Sequence, residues 1–193
     1  MGFSLFGKPK EELDAIEMLM EDHARVRELF KSFEELEEGD DPEIVDIITT
    51  ACLELMVHSK LEEEIFYPAV HDVATEELNK LLAEAEVEHE TIDILVEKLA
   101  TEQLDEEMYK ANFTVVHEYV EHHVKEEEDE MFPKIRDLKG LDLDKLGAQM
   151  RARQIELVEE IAADPAIATG PTGGKGATLP QRSRSKSAST VRH

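Results

Sequence analysis

Two stretches of the chain set a histidine one helical turn ahead of a glutamate. His58 is followed by Glu62, Glu63, Glu64, Ile65, Phe66, Tyr67 and Pro68. His123 is followed by Glu127, Glu128, Asp129, Glu130, Met131, Phe132 and Pro133. The second stretch repeats the first at a constant offset, from its histidine to its proline. Residues four apart share one face of a helix. An imidazole and a carboxylate placed this way can reach one metal centre.

Two more histidines follow the same repeat. His23 and His89 are separated by nearly the same interval as His58 and His123. His23 falls in an apolar stripe with Ile16, Leu19, Val26, Phe30 and Phe33. His89 falls in another with Leu78, Leu82, Ala85, Ile92, Val96 and Leu99. His58 and Glu62 continue the stripe of Ile44, Ile47, Ala51 and Leu55. His123 and Glu127 continue that of Phe113, Val116 and Val120. Buried carboxylates are rare unless they are paired or hold a metal. Two carboxylates and four imidazoles on core-facing stripes therefore predict a metal site made of His23, His58, Glu62, His89, His123 and Glu127. Nitrogen and oxygen ligands without thiolate exclude an iron–sulfur cluster and disfavour structural zinc. Six ligands are too many for one tetrahedral ion, and two central carboxylates suit a bridged pair. Spacing and ligand type leave iron, manganese and zinc open.

Four long amphipathic helices must position these ligands. The spacing predicts helix one over Glu11 to Glu37, with Asp41 capping and Pro42 opening helix two. Pro68 is expected to stop or kink helix two. Thr75 is the expected cap of helix three and Asp105 that of helix four. A loop at Lys139-Gly140 precedes a fifth helix, Asp142 to Ala163. The fold class is all-α: an antiparallel up-down four-helix bundle over 11–138, with an additional C-terminal helix over 139–164. Residues 1–10 read as a flexible N-terminus and 165–193 as a disordered basic tail, rich in Gly, Ser, Thr and Pro.

The net charge of the 193 residues is −25, and it is unevenly spread. The tail from Pro165 carries Lys175, Arg182, Arg184, Lys186 and Arg192 and no acid. All the aspartates and glutamates lie ahead of it, so the body alone is more negative than the whole chain. Such a body repels nucleic acid and anionic membrane. The tail has no aromatic residue for base stacking. No apolar run approaches the ~20 residues of a membrane span. No signal peptide is legible, and the single cysteine, Cys52, points to a reducing, cytoplasmic setting.

Taken together, Glu21-Asp22-His23, the His58–Pro68 block, Glu88-His89-Glu90 and the His123–Pro133 block resemble the hemerythrin-like, HHE cation-binding family. The likeness covers about residues 12 to 135. The Leu146–Arg153 stretch is similar to the extra helix of some bacterial members. The resemblance implies two non-haem irons, with a bridging oxo or hydroxo group, between Glu62 and Glu127. It also implies a small ligand: dioxygen, peroxide or nitric oxide. Oxygen-carrying hemerythrins place a further histidine where this chain has Asp93. Its absence favours peroxide turnover, with catalase-like or oxidase activity, over reversible oxygen carriage. A gas or iron sensor, or an iron store, is the alternative.

Glu54 and Tyr119 stand four residues before His58 and His123 and are expected to face the metals. Glu54 would orient an imidazole or add a ligand, and Tyr119 would donate to a bound oxygen species. Glu86 and Asp93 share the face of His89. His71, His117 and His122 are expected to be structural or exposed.

Overall fold

The computed structural model describes residues 13–36, 43–102 and 104–163. Among the described residues there are five helices and no strand. Helix α1 is Ala15–Leu36. Helix α2 runs through Glu43–Leu61, a π-helical turn Glu62–Phe66 and a last stretch Tyr67–His71. Helix α3 is Glu76–Thr101. Helix α4 runs through Glu106–Glu126, a π-helical turn Glu127–Met131 and a last stretch Phe132–Arg136. Helix α5 is Leu143–Ala163.

The helix starts follow from local chemistry. At α1, the Glu17 N–H donates to Asp14 Oδ1 at 2.8 Å and the Asp14 N–H donates back to Glu17 Oε2 at 3.0 Å. This reciprocal capping box satisfies two otherwise orphaned donors. It sets the start at Ala15, later than the Glu11 expected. The Leu78 N–H donates to Thr75 Oγ1, and the Met108 N–H to Asp105 Oδ1. Both caps are the expected ones. The expected cap at Asp41-Pro42 and the basic tail lie outside the described residues. Gly140, with φ of 97°, makes the turn between α4 and α5 in a backbone region that favours glycine.

Two apolar clusters show the antiparallel order. One joins the start of α1 (Ile16, Leu19), the end of α2 (Leu61, Phe66), the start of α3 (Leu78, Leu82) and the end of α4 (Phe132, Ile135). The other joins the end of α1 (Phe30, Phe33), the start of α2 (Ile44, Ile48), the end of α3 (Val96, Leu99) and the start of α4 (Phe113, Val116). Neighbouring helices therefore run in opposite directions. His23, His58, His89 and His123 lie between the clusters along all four helices. The histidines thus form one polar layer in the middle of an apolar bundle.

Helix α5 covers one side only. Its Leu146, Met150 and Leu157 pack into the first cluster with Val57 and Leu61 of α2. Arg151 Nη1 donates to the Leu13 carbonyl, and Gly147 lies close against the start of α1.

The prolines do not stop α2 and α4. The π turn sits just before each one: the Tyr67 N–H donates to the Glu62 carbonyl and the Phe132 N–H to the Glu127 carbonyl. The shift to an i→i+5 bond inserts one residue ahead of Pro68 and Pro133, which lack an N–H to continue the α ladder. Consecutive acids then lie in the core layer and at its edge: Glu62 with Glu63, and Glu127 with Glu128.

Candidate metal centre

All six expected ligands are buried. Glu62 is 0 % exposed and the others between 1 and 5 %. They form two groups. His23 and His58 approach each other at 3.2 Å between Nε2 atoms, and His89 and His123 at 3.0 Å. Glu62 Oε2 is 3.1 Å from His58 Nε2 and 3.4 Å from His89 Nε2. Glu127 Oε2 is 3.2 Å from His23 Nε2 and 3.5 Å from His123 Nε2. Each carboxylate therefore touches one histidine of each pair. Potential ligand atoms of His23, His58, Glu62 and Glu127 lie within 4.8 Å of one another, as do those of Glu62, His89 and His123.

The other ring nitrogens are held from outside. His23 Nδ1 is 2.9 Å from Glu128 Oε1, His89 Nδ1 is 3.2 Å from Glu63 Oε1, and His123 Nδ1 is 2.9 Å from Glu88 Oε2. Asp22 Oδ2 faces His58 Nδ1 at 3.6 Å. A carboxylate can only accept from a neutral imidazole's N–H, so it fixes the proton on Nδ1 and leaves the Nε2 lone pair facing inward. Lone pairs held this close, beside carboxylate oxygens, repel one another unless a cation lies between them. Both Glu62 oxygens and Glu127 Oε2 are also buried without a hydrogen-bond partner. Adjacent ligands ~2.1 Å from a metal and at right angles are about 3 Å apart. The residues fit two cations, each taking one imidazole pair, with Glu62 and Glu127 shared.

The titration behaviour shows the same demand for positive charge. Burial opposes protonation of His23 and His58, but it is outweighed by Glu127 and Glu128 around the first and by Glu62 and Asp22 around the second. Both imidazoles are raised. Burial likewise opposes charge on His89, yet Glu62 and Glu63 push it up to about 9. Burial favours a neutral Glu62, but His58 and His89 hold it well below the usual carboxylate range. Without a cation, protons take its place between these groups.

Two rings brace the imidazoles. Phe132 stacks on His23 with centroids 5.9 Å apart, and Tyr67 stacks on His89 at 5.6 Å. The Tyr67 hydroxyl also donates to Glu127 Oε1 at 2.9 Å. Its counterpart in the repeat, Phe132, has no hydroxyl to offer Glu62.

A family model for the hemerythrin HHE cation binding domain matches residues 14–163. The chain belongs to the hemerythrin HHE cation-binding family. Among solved structures it is similar to a hemerythrin HHE cation binding domain-containing protein from Mycobacterium kansasii. The two share 26 % identity over 80 % of this chain and 97 % of that one, with a TM-score of 0.65. No curated protein matches the chain. The match extends through α5, so this hemerythrin-like domain includes the fifth helix.

The other expected site residues are placed differently. Glu54 is buried but turns to Arg25, 3.4 Å from its Nε. Arg25 also binds Asp22, the carboxylate facing His58, so Glu54 is linked to that imidazole through two other side chains. Burial, partly offset by Arg25, raises the Glu54 carboxyl to about 7. Tyr119 does not face the metals: it is 45 % exposed. The buried stripe of α4 passes through Val116 and Val120, and Tyr119 lies to its outer side. Glu86 and Asp93 are exposed and belong to neither ligand group. His71 is exposed, and His117 stacks on Phe30 at 4.2 Å. Helical spacing does not single out Asp22, Glu63, Glu88, Glu128 and Tyr67. A simpler signal marks the four acids: one directly precedes His23 and His89, and another directly follows Glu62 and Glu127.

A cavity of about 20 Å³ adjoins the four imidazoles, walled by Val26, Leu55, Ile92, Val120 and Val124. One water needs ~10–15 Å³ on the same measure.

Proposed function

We propose that the protein holds two iron ions and reacts there with dioxygen, hydrogen peroxide or nitric oxide, with peroxide decomposition the favoured activity. The observation that carries this reading is the size of the cavity over the imidazoles. It has room for about one water-sized molecule and largely apolar walls, which supports a small ligand such as a diatomic gas or peroxide at the imidazoles. Two irons sharing carboxylates would supply electron exchange with such a ligand. The protein's own part is to orient and to exclude. Glu63, Glu88 and Glu128 fix the tautomers of three imidazoles, and Asp22, clamped by Arg25, faces the fourth. Valine, leucine and isoleucine keep bulk water off the centre. The Tyr67 hydroxyl holds Glu127 in place and, being raised well above its ordinary value by burial and by Glu127 and Glu62, keeps its proton for that bond.

Each imidazole pair supplies only two nitrogens, and Asp93 stays outside, so neither ion has its positions filled by protein. This favours consumption of a bound ligand over its reversible release. The test is peroxide disappearance with iron-loaded wild type, the chelated protein and Ile92→Phe, which fills the cavity without removing a ligand. Wild type should consume peroxide, while Ile92→Phe should retain its iron and fall to the rate of chelated protein. Equal rates for wild type and chelated protein would refute the reading. So would an oxygen-induced band in reduced protein that disappears on evacuation over several cycles.

A further inference from the structure

The two halves of the centre are built alike but balanced differently. In the first half, Asp22 faces His58 and is neutralised by Arg25. In the second, the matching carboxylate is Glu88, which accepts from His123 Nδ1. The residue at the position of Arg25 is Thr91, one repeat further along the chain. Among the described residues no arginine or lysine pairs with Glu88; its second oxygen, Oε1, instead faces His122 Nε2 at 3.4 Å. His122 Nε2 is also 3.5 Å from Glu126 Oε1. His122 and Glu126 repeat the His-x-x-x-Glu spacing of the core ligands, one residue out of step with His123 and Glu127.

The first half has no such pair. The matching positions are Val57 and Leu61, which α5 buries. The corresponding face between α3 and α4 is open, with a concavity of about 610 Å³ lined by Lys80, Glu84, Val87, Glu88, His122 and Glu126; the Lys80 ammonium pairs with Glu76 at 3.0 Å. One ligand atom from each of Glu88, His122 and Glu126 lies within 4.8 Å of the others.

We propose that Glu88, His122 and Glu126 form a third, surface site for a divalent transition-metal ion, which supplies the positive charge that Arg25 supplies in the first half. The imidazole with two carboxylates selects a first-row ion such as Fe²⁺ or Zn²⁺ over Ca²⁺ or Mg²⁺. Glu88 then links the surface ion to the core, with one oxygen on the ion and the other on His123. The site is open to solvent, so its ion exchanges freely while the core pair does not. This proposal does not depend on what the core pair does with its ligand.

The experiment is calorimetric titration of Zn²⁺ into protein loaded with iron and then desalted to strip the freely exchanging surface ion, with iron content measured before and after. Wild type should bind one zinc per chain with no loss of iron. His122→Ala, which changes a side chain 61 % exposed, should lose that zinc yet keep its iron and melting temperature. Glu126→Gln should weaken it by about ten-fold or more. Calcium should give no such isotherm. A zinc isotherm unchanged in His122→Ala, or zinc taken up only as iron leaves, would overturn the proposal. In protein found with no core iron, the zinc that His122→Ala loses relative to wild type still reads this site, whatever zinc the core takes up, so the two readings fail separately.

Discussion

Replacing Tyr67 by phenylalanine removes one oxygen from the centre and nothing else. The ring can stay, because Phe132 fills the matching position on His23. The hydroxyl is buried, 2.9 Å from Glu127 Oε1. A hydrogen bond to a charged group contributes ~1.5–3 kcal/mol, and its loss leaves a buried carboxylate oxygen without a donor. For a domain of this size each kcal/mol shifts the melting temperature by ~2–4 °C, so chelated Tyr67→Phe should melt roughly 3–12 °C lower than chelated wild type. In metal-loaded protein the difference should shrink, because Glu127 is then also held by the cations. Thermal denaturation followed by circular dichroism, with and without chelator, measures both. A change of less than about 1 °C in the chelated pair would refute the claim that this bond holds Glu127. A larger drop in the loaded protein than in the chelated one would refute the claim that cations share the task.

Three further outcomes follow from the same geometry. In chelated protein, His89 is raised from 6.5 to about 9. The stability it contributes, on the order of 3 kcal/mol, is fully present below its unfolded value near 6.5 and is lost as pH rises through 9. Chelated protein should therefore melt lower at pH 9.5 than at pH 6.5. Metal-loaded protein should show the opposite trend on the acid side, because ligating imidazoles must be deprotonated, so iron should be released as pH falls. Gly147→Ala would place a Cβ 2.8 Å from the Leu13 carbonyl oxygen and 2.9 Å from Ala15 N. That overpacking should cost about 1–3 kcal/mol despite alanine's better helix propensity, and should be seen as a lower melting temperature with iron content unchanged.

Much of the centre could be read from the chain because its ligands obey local rules. His58 with Glu62 and His123 with Glu127 are four apart on helices, and His23 and His89 break apolar stripes. Spacing alone brings such residues to one layer once four helices pack. The capping residues Thr75 and Asp105 were legible for the same local reason. What failed was extending the repeat to neighbours. Glu54 and Tyr119 occupy matching positions, but their surroundings differ: Arg25 draws Glu54 inward on one side, while Thr91 stands in its place on the other. The π turns were hidden because a proline in a helix reads as a stop or a kink. Here one inserted residue absorbs the missing donor, and it also brings Glu63 and Glu128 to the Nδ1 atoms of His89 and His23. The cover that α5 gives to one half only was equally hidden, since it depends on long-range packing around Gly147.

The central claim is that two ions share Glu62 and Glu127. Elemental analysis of protein loaded with Fe²⁺ and desalted, combined with magnetic measurement of the oxidised form, tests it most directly. Two tightly held irons per chain, magnetically coupled to each other and both lost in Glu62→Gln, are the predicted result. One ion per chain, or two irons that show no coupling, would contradict the account.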